Sequence, residues 1–143
     1  MKKIILTLTI LCLMFISCNS IKTSNAKTAL LEGTWELNYI TEPRIAFGEL
    51  FPNKKPTIIF DLKENRISGN AICNRYSGIL NVEGNEINFK EPIAMTKMMC
   101  LDINGEVVFM AALQKIDSYS ISKDGKTLNF ITADTAMMRF DKK

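Results

Sequence analysis

After its apolar N-terminus, this sequence has only one stretch with the apolar spacing of an amphipathic helix. Phe109, Leu113 and Ile116 recur at intervals of four and three within residues 106–116, and this spacing places them on one helix face. A single apolar face must be buried against a partner, and the other regular segments are strand-like. The sequence therefore predicts an α+β, mostly β fold, in which an antiparallel curled sheet or cracked barrel of about eight strands packs against one α-helix.

The predicted strands alternate apolar and polar residues, which is the pattern of strands with one buried face. Inward-facing positions are predicted at Trp35, Leu37, Tyr39, Ile58, Phe60, Met138 and Phe140. Gly84 and Gly125 lie between alternating segments, where a tight hairpin loop needs a residue that adopts a positive φ. The segment from Pro43 to Pro56 has turn-forming residues at both ends and predicts a long loop or irregular hairpin.

The N-terminal residues have the pattern of an export signal. Lys2 and Lys3 precede an apolar run over residues 4–16. This run has the length of a signal-peptide hydrophobic region and is too short for a membrane span. Residues 1–17 are therefore interpreted as a lipoprotein signal peptide, with a short N-terminal anchor that stays attached as the alternative.

Residues 15–18 resemble a bacterial lipobox, in which the signal peptide is cut before a cysteine that then carries acyl chains. Ser17 is suitably small before the cut, although Phe15 stands where the motif usually has leucine. Two or more acyl chains anchor a protein stably to a membrane, whereas one does not. We therefore expect a lipidated Cys18, a tether over residues 18–32 and one domain over residues 33–143. The expected location is the cell envelope, at the outer membrane, on its periplasmic or surface side.

Net charge limits the expected partners of this chain, and cysteine content limits the expected cross-links. Loss of the two signal lysines would lower the net charge from +3 to +1, and the remaining basic residues are scattered, so nucleic acid is not an expected partner. With Cys12 removed and Cys18 lipidated, Cys73 and Cys100 remain. In an oxidising compartment this pair predicts a disulfide, and two buried free thiols are the alternative.

The composition provides few groups for catalysis. The sequence has no histidine, which is the usual general base near neutral pH and the commonest metal ligand. Cys73 and Cys100 cannot complete a four-ligand zinc site by themselves, and no glycine-rich phosphate loop is present. The acidic residues at turns are interpreted as solvated surface groups, with a hidden glycosidase pair as the alternative. We expect a monomer without enzyme activity, cofactor or metal.

Other residues each allow two interpretations. Arg75 either holds an anion or is an exposed or salt-bridged arginine. The methionines, including Met98 and Met138, either fill the core on inward faces or line a ligand pocket. Phe47, Leu50 and Phe51 either pack on the core or form a lip over a pocket.

Residues 69–78 read Gly-Asn-Ala-Ile-Cys-Asn-Arg-Tyr-Ser-Gly, residues 96–100 read Thr-Lys-Met-Met-Cys, and Glu106 begins the predicted helix. Together with residues 33–35 and 125–128, this pattern resembles the META domain of the HslJ family over nearly all of residues 33–141. The motif residues are Gly69, Cys73, Asn74, Arg75, Tyr76, Gly78, Thr96, Met98, Cys100 and Glu106. At Ile72 the family usually has glycine, and this departure predicts a less tightly turned backbone.

Similarity to this family implies a curled sheet or cracked barrel with one helix packed into its opening, and no established catalysis. It implies that the motif positions hold the cysteine-containing loop to a crossover strand and to the helix start. Members include heat-inducible envelope proteins associated with tolerance to an antibiotic, and the fold resembles lipoprotein pilotins of secretion systems, which cradle apolar tails.

The expected function is that of a non-enzymatic, lipid-anchored envelope protein that supports envelope integrity or stress tolerance through a binding surface. Its expected partners are the membrane, through the acyl chains, and an envelope protein or apolar ligand. A carrier of a lipid or small apolar ligand between helix and sheet is the alternative function, followed by a thiol redox protein.

Overall fold

The computed structural model describes residues 28–100 and 103–143 of the 143-residue chain. Within these residues, ten antiparallel strands form one sheet that curls into a half-barrel. The strands are β1 (Gly33–Ile40), β2 (Thr57–Asp61), β3 (Arg66–Asn70), β4 (Arg75–Ile79), β5 (Asn81–Glu83), β6 (Glu86–Asn88), β7 (Ala94–Met95), β8 (Ser118–Ile121), β9 (Thr127–Thr132) and β10 (Thr135–Lys142). Two helices accompany them, α1 (Phe47–Leu50) and α2 (Asn104–Leu113). The strand order is β5-β6-β8-β9-β10-β1-β2-β3-β4-β7.

The predicted fold class is confirmed, with ten strands in the described residues where about eight were expected. One difference is that the predicted strand over residues 77–82 is divided. β4 ends at Ile79, the Leu80 amide donates to the Asn65 carbonyl (3.0 Å), and β5 begins at Asn81. Because β4 and β5 lie near opposite ends of the strand order, the chain crosses between the two edges here, which the curling of the sheet makes possible.

The core lies between the inner face of the sheet and α2. Phe109 and Leu113 on α2 are fully buried, and Ile116 beyond the helix end is 1% exposed. The Phe109 ring contacts the rings of Tyr76 on β4 and Phe140 on β10, with centroids 6.0 and 6.5 Å apart. Aromatic pairs in these orientations stabilise beyond their area burial. The predicted apolar face of the helix is confirmed, although the helix spans residues 104–113 rather than 106–116.

The predicted inward positions are confirmed with one exception. The fully or almost fully buried side chains include those of Trp35, Leu37, Ile58, Phe60, Met138 and Phe140. Tyr39 is instead 42% exposed, while the next residue, Ile40, is 6% exposed. The pairing of β1 with β10 shifts register between Leu37 and Tyr39, and such a bulge reverses which side chains face inward. The Tyr39 ring therefore lies outside, 5.3 Å from the guanidinium carbon of Arg139.

The tight turns agree with the glycine signals and add one turn without a glycine. Gly84 and Gly125 adopt φ angles of 62° and 71°, as their hairpin loops require. Ala133 and Asp134, with φ angles of 45° and 66°, join β9 to β10. The Asp117 carboxylate accepts a hydrogen bond from the Ala133 amide (3.1 Å) and holds this turn.

The packed domain begins before the predicted boundary at residue 33. Leu31 is fully buried, and its carbonyl accepts a hydrogen bond from the Trp35 indole N–H (2.7 Å). On β10, the Lys142 ammonium donates to the Leu30 carbonyl (3.1 Å). The tether predicted over residues 18–32 is therefore wrong at its C-terminal end, because residues next to β1 belong to the core.

The predicted signal peptide, the lipidation site Cys18 and the rest of the predicted tether lie outside the described residues. Within the part of the chain that is described, no helix has the length and apolar character needed to cross a membrane.

Candidate functional site

Six motif residues meet where the β3–β4 loop touches the start of α2 and the segment after β7. We call this site the corner, and we define it by Cys73, Asn74, Thr96, Met98, Cys100 and Glu106. These residues come from three separate parts of the chain. The folded sheet is therefore what brings them together.

Glu106 is the centre of the hydrogen bonds at the corner. Its side chain is buried, with 7% exposed. Oε2 accepts from the backbone N–H groups of Cys73 (3.1 Å) and Asn74 (2.7 Å), and Oε1 accepts from the side-chain amide of Asn74 (2.7 Å). A buried carboxylate is costly unless it is hydrogen-bonded, and here both oxygens are. Glu106 also lies in the first turn of α2, where the helix dipole favours negative charge.

Asn74 connects Glu106 to the segment after β7. Its Oδ1 accepts from the Thr96 hydroxyl (2.9 Å) and from the Met98 amide (2.8 Å), while its Nδ2 donates to Glu106. The Thr96 hydroxyl in turn accepts from the Arg75 amide (3.1 Å), and the Thr96 amide donates to the Arg75 carbonyl (3.0 Å). Arg75 thus joins this site through its backbone, and its side chain is exposed.

Cys73 and Cys100 form a disulfide, with their Cα atoms 6.5 Å apart. This confirms the disulfide interpretation over two free thiols. The bond spans 27 positions in sequence and joins the same two segments that Asn74 joins by hydrogen bonds. Closing a loop of this length removes entropy from the unfolded chain and stabilises the fold by roughly 3.5 kcal/mol.

Gly69 on β3 leaves room for the side chain of Tyr76 on β4. The Tyr76 hydroxyl donates to the Thr57 carbonyl on β2 (2.9 Å) and therefore crosses over β3. A Cβ at Gly69 would overlap the Thr57 carbonyl and lie 2.7 Å from the Tyr76 hydroxyl. Burial of this side chain raises the pKa of Tyr76 far above its usual range. Gly78 is less constrained, since a Cβ there would meet its neighbours at 3.4 Å or more.

Ile72 has a φ of 127°, a conformation that glycine adopts readily and a β-branched residue does not. The expectation of a less tightly turned backbone is therefore wrong, because the chain keeps the conformation typical of glycine although isoleucine is present. The Ile72 amide donates to Asn70 Oδ1 (3.0 Å), which helps to hold the turn.

Gly105 also shapes the corner, and sequence reasoning missed it. A Cβ at Gly105 would overlap the Leu50 carbonyl and lie 2.7 Å from the Ile72 side chain and 2.9 Å from the Phe51 ring. The start of α2 can therefore approach the loop around α1 closely. Apolar periodicity has no signal for such a glycine; only its unusual position inside a predicted helix start marks it.

Two expectations about apolar side chains have different outcomes. Met98 is 62% exposed, so its predicted inward position is wrong, and it joins the corner through its backbone amide. Leu50 and Phe51 are buried and Phe47 is half-buried against the core. These three residues therefore pack on the core rather than form a lip.

The corner is arranged to hold chain segments together. Its carboxylate accepts three hydrogen bonds and its two cysteine sulfur atoms are bonded to each other. Among residues 28–100 and 103–143, no three His, Cys, Asp or Glu side chains are grouped so that they could hold a metal ion. No buried side-chain nitrogen or oxygen in the same residues lacks a hydrogen-bond partner.

A curled antiparallel sheet, one packed helix and a cysteine loop clamped to the helix start define a class of small β-rich domain. The family model of the META domain matches residues 28–143, and the chain belongs to this family. The resemblance drawn from the motif residues is therefore confirmed. The match begins upstream of β1, in agreement with the burial of Leu31.

Solved structures share this fold at low sequence identity. An NMR structure of a protein from Burkholderia xenovorans is 19% identical, with a TM-score of 0.64, and the match covers 84% of this chain and 88% of that chain. A crystal structure of a DUF4847 family protein from Bacteroides vulgatus ATCC 8482 is 13% identical, with a TM-score of 0.58, and the match covers 82% of this chain and 97% of that chain. A further NMR structure is 21% identical, with a TM-score of 0.56, and the match covers 81% of this chain and 93% of that chain. No curated protein matches this chain significantly.

Proposed function

We propose that this chain is a non-enzymatic, lipid-anchored protein of the cell envelope. In this proposal its META domain supports envelope integrity or stress tolerance through a binding surface. Family membership supports the type of domain. The short apolar run and the lipobox-like residues 15–18 support anchoring through Cys18.

The observation that carries the proposal is the bonding of the polar and sulfur groups at the corner. A general acid or base needs a side chain that can reach a substrate proton, but both Glu106 oxygens already accept hydrogen bonds from the protein. A reactive cysteine needs a thiolate, but Cys73 and Cys100 are bonded to each other. The corner thus supports a scaffold role, and the surface of the domain is left to carry the function.

The packing of α2 favours a binding surface over an apolar carrier. Phe109 and Leu113 are fully buried, and Phe109 contacts the rings of Tyr76 and Phe140 directly. A lipid between helix and sheet would have to displace these close-packed side chains. The carrier function therefore ranks second, and the thiol redox function ranks third because of the disulfide.

The experiment is deletion of the gene, followed by complementation with the wild type or with Cys18→Ala. We expect the deletion strain to grow poorly under heat, detergent and antibiotic stress, and the wild type to restore growth. The Cys18→Ala protein should no longer be found in the membrane fraction, and it should restore growth less well than the wild type. Normal growth of the deletion strain under all three stresses would refute the envelope role, and full membrane retention of Cys18→Ala would refute the anchor.

A mass measurement separates the binding-surface proposal from the carrier. The purified chain is weighed under native conditions and again after denaturation without reductant. We expect the two masses to agree. A native excess that disappears on denaturation would favour the carrier.

A further inference from the structure

A groove of about 700 Å³ lies on the outer face of the sheet, over β2, β3, β4 and β7. Strand pairing sets two rows of outward residues across it, namely Thr57, Asn70 and Arg75 in one row and Ile59, Ser68, Ser77 and Ala94 in the other. Ser68, Ser77 and Ala94 in the second row have small side chains, which leave the space of the groove. This volume is in the range of small-molecule sites, which is roughly 300–1,000 Å³.

Three acceptor atoms in this groove already accept hydrogen bonds from the protein itself. Asn70 Oδ1 accepts from the Ile72 amide (3.0 Å), and the Thr57 hydroxyl accepts from the Asn70 amide (3.3 Å). The Thr96 hydroxyl is used twice, as acceptor from Arg75 and as donor to Asn74. The amide oxygen of Asn70 and the hydroxyls of Thr57 and Thr96 are therefore partly occupied, whereas the hydroxyls of Ser68 and Ser77 can still donate and accept.

Its donors, in contrast, remain available. The Asn70 side-chain NH₂ and the hydroxyls of Ser68 and Ser77 have no protein partner among the described residues. The Arg75 guanidinium forms no ion pair or hydrogen bond with any described residue. An arginine fork matches the geometry of a carboxylate, to which it can donate two parallel hydrogen bonds. Among the described residues, the groove thus offers free donors and one positive charge without an ion-pair partner, which suits an anionic ligand rich in acceptors.

We propose that this groove binds a short peptide by its C-terminal carboxylate. Arg75 holds the carboxylate, and Asn70, Ser68 and Ser77 donate to the peptide carbonyls. An acyl chain fits less well, because it would cover these donors without satisfying them, which is costly. The small side chains of the floor let the peptide backbone approach the sheet. The inference rests on the proposed function for its biological setting and deepens it by naming the surface and the ligand class.

The test uses the full chain, purified in mild detergent, and phenylglyoxal, which modifies accessible guanidinium groups. Mass spectrometry reports the modification rates of Arg75 and of Arg66, which is exposed on the same face of β3 but does not line the groove. The probes are acetyl-Ala-Ala-Ala with a free carboxylate, the same peptide as its C-terminal amide, and inorganic phosphate. We expect the free acid to slow modification of Arg75 about tenfold, as a charge-assisted contact would, and to leave Arg66 unchanged.

A matched pair of variants tests the groove itself. Ser77→Val fills the floor with a side chain that suits a strand, and should abolish the protection of Arg75 without changing the unfolding temperature. Ser120→Val makes the same change at an exposed strand position on β8, outside the groove, and should keep the protection.

Four results would overturn the proposal: no protection by the free acid, equal protection by the amide, equal protection by phosphate, or protection that persists in Ser77→Val. Phosphate protection would indicate simple attraction of anions to Arg75. Because binding is measured on the purified chain, its failure is distinct from failure of the envelope role, which the deletion strain reports.

Discussion

The corner and the hairpin half of the sheet, which consists of β5, β6, β8 and β9, are stabilised in different ways. In the hairpin half, neighbouring strands are joined by tight turns at Gly84 and Gly125, and the core contacts are aromatic, such as Phe89 with Phe130 at 5.3 Å. At the corner, buried polar groups join residues far apart in sequence, such as Asn74 and Glu106 with a separation of 32. The comparison teaches that loss of one polar side chain should cost much more at the corner than in the hairpin half.

The largest effect is expected for Glu106→Ala. This change leaves the buried Asn74 N–H, the part-buried Cys73 N–H and the Asn74 side-chain amide without their acceptor, and should lower the free energy of unfolding by about 4 kcal/mol. Glu106→Gln should cost about 2 kcal/mol, because one oxygen is replaced by a donor. Urea denaturation measures both.

The matched control is Glu86→Ala in the hairpin half, where the side chain is exposed. Its cost should stay within about 0.5 kcal/mol. Equal losses for Glu106→Ala and Glu86→Ala would contradict the comparison.

Reduction of the Cys73–Cys100 disulfide is expected to cost roughly 3.5 kcal/mol, because the unfolded chain regains the entropy of the closed loop. Urea unfolding with and without reductant measures this loss. The double variant Cys73→Ser/Cys100→Ser should have the same free energy of unfolding as the reduced protein, and reductant should not change it. A loss below about 1 kcal/mol would mean that other contacts restrain the unfolded chain.

Two glycines should differ because one makes room for packing and the other adopts a special φ. Gly69→Ala forces a Cβ against the Thr57 carbonyl and the Tyr76 hydroxyl, and should cost about 3 kcal/mol. At Gly125 an added Cβ would meet open space, but the backbone φ is 71°. Gly125→Ala should therefore lower the free energy of unfolding by about 1 kcal/mol.

Asparagine tolerates the left-handed region, so Gly125→Asn should cost less than Gly125→Ala. The thermal midpoints of the three variants test this order. A smaller shift for Gly69→Ala than for Gly125→Ala would show that the packing of Tyr76 over β3 relaxes easily.

Alkaline pH should destabilise the fold through buried tyrosines next to the corner and in the hairpin half. Burial raises the pKa of Tyr76 on β4, next to the corner, and of Tyr119 in the hairpin half, and the hydrogen bond with Thr28 partly offsets this rise for Tyr119. The folded state keeps protons that the unfolded chain releases near pH 10. The stability from these groups is therefore fully present below that pH and falls above it. For Tyr76 the fall is up to about 1.4 kcal/mol per pH unit, and for the less deeply buried Tyr119 it is smaller.

Urea denaturation between neutral and alkaline pH checks this. Tyr76→Phe should flatten the alkaline fall more than Tyr119→Phe does. An unchanged slope in Tyr76→Phe would show that this ring is not protected from solvent.

The smallest effect concerns the backbone at Ile72. Ile72→Gly should be more stable than Ile72→Ala by about 1 kcal/mol, because only glycine adopts the φ of 127° without strain. At Ile59, an ordinary exposed strand position on β2, the order should reverse, with alanine more stable by about 0.5–1 kcal/mol. The denaturation midpoints of the four variants test this order. A higher midpoint for Ile72→Ala than for Ile72→Gly would contradict the argument for strain at residue 72.

Local signals predicted much of the hairpin half. Alternation and the glycines at residues 84 and 125 indicated its strands and turns, because both patterns depend on neighbours within a few residues. The bulge that turns Tyr39 outward was missed, because a register shift depends on the pairing of β1 with β10, about a hundred residues away along the chain. The turn at Ala133 and Asp134 was missed because its support comes from Asp117 and not from a glycine.

For the candidate site, the family resemblance identified the residues, and the residues alone did not reveal their contacts. Asn74 and Glu106 are polar residues that no periodicity marks as buried, and only their mutual hydrogen bonds make burial possible. Met98 was expected inside as a methionine, but its backbone amide is what the site uses. The groove beside Arg75 depends on which strands are neighbours, and strand order is not a local property.

By itself, the sequence determined the mostly β class, the single long amphipathic helix, the hairpin glycines and the membership of the META family. These depend on composition, local periodicity and a motif, which can be read along the chain. The tertiary structure decided that residues near Leu31 belong to the core, that Ile72 keeps a conformation typical of glycine, and that Glu106 and Asn74 form one buried network. Those outcomes depend on contacts between distant residues, and such contacts form only when the sheet curls around the helix and excludes water.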